Sequence, residues 1–163
     1  MIPVFSIIGS KSNTGKTTIL CKIIKELKNR GYRVATIKHH MGDFEIDHPE
    51  KDTWKHSQAG SDIVVISSPV KIAKIEKVRE EYKLDDIISK IENVDIIITE
   101  GYKKENKPKL EVIRKEISLS LISKESELFG IVTDFPLENQ IPQFNFEQVK
   151  EIVNLIEEKF LKE

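Results

Sequence analysis

Short apolar runs and stretches of helical periodicity alternate along the start of the chain. Residues 2–8 form a mostly apolar, β-branched run that ends at Gly9, which is typical of a buried strand. Four apolar residues then recur at the i, i+3, i+4, i+7 spacing of an amphipathic helix, namely Leu20, Ile23, Ile24 and Leu27. Residues 33–38 have the composition of a second strand. This order predicts a βαβ unit, in which the crossover is right-handed and the strands are parallel.

The remainder of the chain continues the alternation. We predict helices over residues 52–59, 84–91 and 149–160, and strands over residues 62–67, 70–75, 94–99, 110–114 and 128–133. The Ser68-Pro69 dipeptide is typical of a turn, so the two strands around it are expected to form an antiparallel hairpin at one edge of the sheet. The fold class is therefore α/β, with a mostly parallel sheet, flanking helices and one hairpin.

Length, composition and charge restrict the function classes. A chain of 163 residues, 39% apolar and 33% charged, fits one domain with one hydrophobic core. Its 26 basic and 27 acidic side chains leave a net charge of −1, which argues against a general nucleic-acid or membrane-surface binder. No apolar run approaches the ~18 residues of a membrane span, and the N-terminus has no signal-peptide pattern. The single cysteine, Cys21, cannot form an internal disulfide, and we expect a cytoplasmic protein.

The loop between the first strand and the first helix carries a phosphate-binding motif. Gly15-Lys16-Thr17 closes the G-x-x-x-x-G-K-[ST] pattern of a P-loop in the required strand–loop–helix context. Backbone N–H groups and the positive end of the helix favour phosphate there. Lys16 is expected to reach the β- and γ-phosphates and the Thr17 hydroxyl to ligate Mg²⁺. The candidate nucleotide contacts are Ser12, Asn13, Thr14, Gly15, Lys16, Thr17 and Thr18.

The motif departs from the usual pattern at one position. Ser10 stands where the leading glycine is expected, and Gly9 comes one residue too early. A serine can take turn geometry there at some conformational cost. Because a predicted strand precedes the motif and a periodic helix follows it, we interpret residues 1–163 as a single P-loop NTPase-like nucleotide-binding domain.

A P-loop requires a second group that holds Mg²⁺ or orients water, usually an acid at the end of a buried strand. The strand predicted over residues 94–99 has Asp95 at its start and Glu100 at its end. In a parallel sheet the P-loop lies at the carboxyl ends of the strands, so Glu100 is expected at the site and Asp95 a strand length away. Gly101 would allow the chain to turn over the site.

A polar loop after the second strand contains most of the remaining candidate chemistry. All four histidines and three aspartates lie in this short span: His39, His40, His48, His56, Asp43, Asp47 and Asp52. Their spacing matches no structural zinc pattern, and no cysteine is nearby. We favour a phosphate or Mg²⁺ neighbourhood over a structural or catalytic transition-metal site, with a merely solvated loop as the other alternative.

Several blocks, in this order, resemble the molybdopterin-guanine dinucleotide biosynthesis protein B (MobB) family. After the P-loop they are Lys38-His39-His40, Asp47-His48-Pro49-Glu50-Lys51-Asp52-Thr53 with Gln58-Ala59-Gly60, Glu100-Gly101-Tyr102-Lys103, and Pro108-Lys109-Leu110-Glu111-Val112-Ile113-Arg114. Two positions depart from the family pattern: Glu50 replaces a glycine and Thr53 replaces a serine. The resemblance covers most of residues 1–114 and fades beyond them.

The resemblance implies a GTP-binding protein with slow, Mg²⁺-dependent hydrolysis that is usually a homodimer. Such a protein would assist the nucleotidyltransferase that joins a guanine nucleotide to molybdopterin. By the same resemblance Lys16 and Glu100 would serve catalysis, with Thr17 and Glu100 at the Mg²⁺. Lys38, Asp47 and Asp52 would line the same nucleotide site.

The residues alone leave other functions open. One is a nucleotide-gated adapter without essential hydrolysis, another a small-molecule kinase using ATP, and a third a metal-delivery GTPase. The kinase hypothesis lacks support because Arg114 is the only arginine after Glu111, so no arginine cluster is present to cover the phosphates. Arg114 itself could pair with a phosphate or be a solvated strand residue. No Asn-Lys-x-Asp block is present to read guanine. For Asp134, which closes a late strand, we favour a strand-end turn residue over a carboxylate placed against the base.

Overall fold

The computed structural model describes residues 1–162, which form two compact units. One unit comprises residues 1–39 and the chain from Leu84 onward, and the other comprises residues 40–83. The strands are β1 (Val4–Ile8), β2 (Val34–Lys38), β3 (Ile63–Ser68), β4 (Lys71–Glu76), β5 (Ile96–Glu100), β6 (Lys109–Ile113), β7 (Leu128–Thr133) and β8 (Gln143–Phe144). The helices are α1 (Lys16–Asn29), α2 (Asp52–Gln58), α3 (Leu84–Ile88) and α4 (Val149–Ile156), followed by a π-helical turn over Glu157–Leu161.

The larger unit contains a six-stranded sheet in the order β2-β5-β1-β6-β7-β8. Every neighbouring pair in it is parallel, so the carboxyl ends of all six strands lie along one edge. This confirms the α/β class with a mostly parallel sheet. Strand β8 was not predicted, because two residues are too few to show a periodicity.

The sheet core consists of apolar side chains from β1, β5 and β6 packed against α1 and α4. Phe5, Ile23 and Ile152 are fully buried within it. Phe5 also contacts two further rings, Phe129 at a centroid distance of 5.2 Å and Phe160 at 5.5 Å. Burying each such side chain contributes about 1.5–3 kcal/mol, so this layer holds the strand ends in place.

The smaller unit contains α2 and an antiparallel hairpin of β3 and β4. Their register runs from Ile63 opposite Glu76 to Ser68 opposite Lys71, which confirms the predicted turn. The predicted position at the edge of the large sheet is wrong, because β3 and β4 form a two-stranded sheet of their own. The two strands pair with each other across a tight turn, and this pairing is a local property of the sequence. The alternation of apolar residues does not determine whether a third strand lies beside them. The single-domain interpretation stays a prediction.

No helix among residues 1–162 is long and apolar enough to cross a membrane. Helix α3 ends three residues earlier than predicted, and the terminal helix changes to π geometry after Ile156. Both differences fall at helix ends, where tighter i→i+3 bonds after α3 and a wider i→i+5 bond after α4 replace the α-helical pattern.

Asp95 lies at the opposite end of β5 from Glu100, as predicted, and there it joins two strands. Its carboxylate accepts hydrogen bonds from the backbone N–H of Arg33 at 2.6 Å and from Nη2 of the same residue at 2.8 Å. The Arg33 side chain and these hydrogen bonds lower the pKa of the Asp95 carboxyl from 3.8 to about 2. Asp95 therefore stabilises the starts of β2 and β5 rather than serving chemistry.

We expect Asp95→Asn to destabilise the protein in a pH-dependent way. The depressed pKa means that the ionised carboxylate stabilises the fold above pH ~4, and that this contribution is lost as the pH falls towards 2. Urea unfolding at several pH values should give the wild type a higher free energy of unfolding than Asp95→Asn. This difference should be constant at neutral pH and should fall steeply between pH ~4 and 2. The exposed Asp62, changed to Asn, serves as a control with no such window. An advantage that is undiminished at pH 2 would contradict this assignment.

Candidate functional site

The loop from Gly9 to Gly15 connects β1 to α1 and passes closely over β6. A Cβ added at Gly9 would lie 2.7 Å from Thr14 Oγ1 and 2.8 Å from the Val112 carbonyl oxygen, so only glycine fits there. Ser10 does not have a positive φ, so the conformational cost expected at that position is not seen. The close approach of the chain, rather than a turn at Ser10, thus explains why the glycine stands one position early.

Two residues of the loop adopt left-handed backbone conformations before the helix begins. Asn13 has φ 63° and Gly15 has φ 94°, and Asn and Gly are the residue types that tolerate this region best. Helix α1 begins at Lys16, and its first turn contains no acidic residue. Its unpaired N–H groups and partial positive charge therefore face no carboxylate from the first turn, which is the arrangement that favours an anion.

The ammonium group of Lys16 lies over the loop. Its Nζ donates to the Lys11 carbonyl oxygen and to Thr14 Oγ1, the latter at 3.2 Å. Partial burial lowers the pKa of Lys16, the positive charges of Lys103 and Lys38 lower it further, and only Glu100 opposes them. Several cations thus converge on one place in a chain of net charge −1, which is a local field suited to a polyphosphate.

Thr17 and Glu100 are brought together although they are 83 positions apart. The Thr17 hydroxyl donates to Glu100 Oε1 at 2.8 Å, and Lys38 Nζ lies 3.6 Å from the same oxygen. Glu100 is only 8% exposed, and the register places it beside Lys38 of β2 and Ile7 of β1. A hydroxyl and a carboxylate are hard oxygen donors of the kind that Mg²⁺ takes, so these residues fit the ion that the P-loop motif implies.

Gly101 allows the chain to turn sharply after β5. It has φ 97°, and an added Cβ would lie 3.2 Å from the Cβ of His39. Beyond the turn, Lys103 Nζ donates to the Ser10 carbonyl oxygen at 2.8 Å. Lys103 was not among the predicted site residues, although it closes the Glu-Gly-Tyr-Lys block, which was the signal available for it.

Arg114 also contacts the loop backbone. Its Nε donates to the Thr14 carbonyl oxygen at 3.1 Å, and its guanidinium carbon lies 4.1 Å from the centroid of Phe146. From the sequence, Arg114 could be either a partner of a phosphate or a solvated strand residue. In the structure its side chain contacts the loop. Phe146 had no sequence signal. Glu111 faces elsewhere and accepts from the backbone N–H groups of residues 122 and 123, while burial raises its pKa.

The other predicted residues are divided between the larger and the smaller unit. Ser12 and Thr18 are exposed on the larger unit, at the loop and at the start of α1. Asp47 and Asp52 belong to the smaller unit, where Asp47 Oδ1 accepts from the His48 backbone N–H at 2.8 Å and Asp52 begins α2. Their place in a nucleotide site stays a prediction. Within residues 1–162 no three His, Cys, Asp or Glu side chains are grouped so that they could hold a metal ion.

We expect Gly9→Ala to destabilise the protein by about 1–3 kcal/mol, because its methyl group would push apart Thr14 and the Val112 carbonyl. Urea unfolding measures this directly. Ser10→Ala is the matched control, since the Ser10 hydroxyl is buried without a hydrogen-bond partner within residues 1–162 and its removal should cost nothing. Equal stability of Gly9→Ala and the wild type would contradict the close approach.

Comparisons with known proteins point to one family. The family model of molybdopterin guanine dinucleotide synthesis protein B matches residues 4–134. A molybdopterin-guanine dinucleotide biosynthesis adapter protein of Haemophilus influenzae is 30% identical over 96% of this chain and 88% of its own length. The protein of the same name from Escherichia coli is 27% identical over 100% of this chain and 96% of its own length.

Solved structures give the same result. A crystal structure of molybdopterin-guanine biosynthesis protein B is 32% identical and covers 94% of this chain and 97% of its own, with a TM-score of 0.72. The crystal structure of Bacillus subtilis MobB has a TM-score of 0.79 at 21% identity, covers 99% of this chain and 100% of its own, and supports the fold alone. With the family model matching most of its length, the chain belongs to the MobB family.

Proposed function

We propose that this chain is an adapter protein of molybdopterin-guanine dinucleotide biosynthesis that binds GTP and Mg²⁺ at the loop before α1. Membership of the family supports the adapter role, since its relatives carry that name. The partner would be the nucleotidyltransferase that joins the guanine nucleotide to molybdopterin, and the protein would act in the cytoplasm. The nucleotide and metal parts of the proposal come from the site itself.

The observation that carries the proposal is the 2.8 Å hydrogen bond between Thr17 and Glu100 at the start of α1. Because Glu100 is nearly inaccessible to solvent, its carboxylate needs polar or charged partners, and it has the Thr17 hydroxyl and the Lys38 ammonium group. Together with Lys16 above the loop, Thr17 and Glu100 supply two oxygen ligands for a cation and a positive charge for phosphates. This combination suits a metal-bound nucleoside triphosphate better than a bare anion.

Each residue would have a separate task in the bound state. The loop N–H groups hold the phosphates, and Lys16 leaves Thr14 to neutralise the charge on the terminal phosphates. Thr17 and Glu100 would hold the metal with their hydroxyl and carboxylate oxygens in place of their mutual hydrogen bond. Bound Mg²⁺ would supply positive charge that compensates the charge of the phosphates.

Slow hydrolysis is part of the proposal. No glutamine hydrogen-bonds to the loop among residues 1–162, and Arg114 uses its Nε for the Thr14 carbonyl oxygen while its guanidinium lies over the Phe146 ring. Without a group that orients water or adds charge in the transition state, we expect ~10⁻⁴ to 10⁻² turnovers per second, the range of unassisted GTPases. Nucleotide binding, rather than its turnover, would then control the partner.

Nucleotide affinity measured by calorimetry with Mg²⁺ tests the site. Lys16→Ala should weaken GTP binding at least about tenfold, because it removes a charge-assisted contact to phosphate. Lys25→Ala, an exposed lysine on the same helix, is the matched control and should bind normally. Glu100→Gln should bind GTP in EDTA as the wild type does but lose the increase in affinity that Mg²⁺ gives. Unchanged binding by Lys16→Ala would contradict the proposal.

We also propose that the chain forms a homodimer through the hairpin of the smaller unit. Several apolar side chains of β3 and β4 are exposed, and the register places Val65 and Ile72 on the same face, at 53% and 70% exposure. An exposed apolar sheet face of this kind is usually covered by another chain.

Sedimentation of the purified chain tests this proposal. Ile72→Lys should shift the protein towards the monomer, because burying the new ammonium group in an apolar interface is costly. Ile122→Lys replaces another exposed isoleucine of the larger unit and should leave the oligomeric state unchanged. A wild-type chain that sediments as a monomer at all concentrations would refute the dimer.

A further inference from the structure

The phosphate loop leaves only part of the carboxyl edge of the sheet for the base of a nucleotide. Ligands of open parallel sheets lie outside the carboxyl ends of the strands. On one side of β1 this edge is occupied by Glu100 and Lys38, which the metal and the phosphates would use. On the other side, strands β6 and β7 end immediately before Arg114 and Asp134. The base is therefore expected above the ends of β6 and β7.

Arg114 presents a planar group at this place, next to the loop. The hydrogen bond from Nε to the Thr14 carbonyl oxygen and the stacking on Phe146 both fix its orientation. Phe146 is itself held, because Lys22 Nζ of α1 donates to its carbonyl oxygen at 3.0 Å. The edge of the Arg114 guanidinium is held by the loop and its plane lies on an aromatic ring, and a planar guanidinium fixed in this way is a suitable stacking partner for a nucleobase.

Asp134 is positioned by the backbone of Lys115, whereas the turn around it is held by other residues. Thr133 Oγ1 donates to the Phe135 carbonyl oxygen at 2.8 Å and accepts from the Phe135 N–H, which holds the turn after β7 without the aspartate. Asp134 Oδ1 accepts from the Lys115 backbone N–H at 2.9 Å, directly after Arg114. Its Oδ2 has no hydrogen-bond partner among residues 1–162. The carboxylate is thus oriented at the end of β7 by the backbone that follows Arg114, and Oδ2 and a second lone pair of Oδ1 can still accept hydrogen bonds.

We propose that Arg114 and Asp134 form the base subsite of the nucleotide site, in which the guanidinium stacks on guanine and the carboxylate accepts its N1–H and N2–H. This inference rests on the proposed function, since it concerns the base of the nucleotide whose phosphates the loop would bind. Guanine offers two donors to a carboxylate. Adenine has an acceptor at N1 and no amino group at C2, so its lone pair would face the negative charge of Asp134.

Exchange of Asp134 for Asn tests the assignment through a change of specificity. The N–H of an amide at this position can donate to the C2 oxygen of xanthine. In guanine the same N–H would face the N2–H, so that two donors would meet. We expect Asp134→Asn to weaken GTP binding by about ten- to a hundredfold and to strengthen XTP binding correspondingly. Glu138→Gln, which removes an exposed carboxylate from the same loop, is the control and should leave both affinities unchanged.

The wild-type chain provides a test that does not depend on a variant. ITP lacks only the N2 amino group of GTP, so it should bind about tenfold more weakly, and ATP more weakly still. Arg114→Lys keeps the charge but removes the planar face. It should therefore weaken GTP and ITP by the same factor and leave their ratio unchanged.

The outcomes separate this inference from the proposed function. If Lys16→Ala loses GTP while Asp134→Asn leaves the GTP-to-XTP ratio of the wild type unchanged, the base lies elsewhere and the phosphate site stands. Equal wild-type affinities for GTP and ITP would likewise overturn the subsite. If the wild-type chain binds neither GTP nor ITP, the proposed function fails and the base subsite fails with it.

Discussion

Strand β1 pairs in parallel with β5 on one side and β6 on the other, and the contacts of the candidate site follow from this pairing. Ile7 of β1 lies beside Glu100 of β5, and Ile8 lies beside Glu111 of β6. Because parallel strands end at the same edge, the loop after β1 meets the ends of both neighbours. The buried side chains of β1, β5 and β6 keep this register, since a slip by one residue would move them to the opposite face of the sheet, away from the cluster that packs on α1 and α4.

The electrostatics of the site depend on the same arrangement. The chain is almost neutral overall, yet Lys16, Lys38 and Lys103 come from three separate segments and act on one another. Partial burial of Lys16, followed by repulsion from the other two lysines, lowers its pKa, and this is a cost of folding that an anion would relieve. A cluster of this kind is more informative than net charge, because only the fold can bring its members together.

The smaller unit has a different balance of forces. Its hairpin buries little of its apolar surface, and Val64 is its one buried apolar side chain among the described residues. Two strands with exposed faces give limited stability by themselves. The exposed isoleucines of β3 and β4, together with Val65, are thus the part of this chain that most requires a covering surface, as an adapter's contact region would.

The sequence alone determined the class of fold, the loop before α1, and the choice of Glu100 over Asp95, because these follow from local periodicity and from the rule that parallel strands share an edge. It could not place the hairpin in a sheet of its own or find β8, since lateral pairing is not a local property. It also could not decide which groups the side chains of Arg114 and Asp134 contact. Whether a strand-end side chain meets the loop or only solvent depends on strand order and register, and these are decided by long-range packing in the tertiary structure.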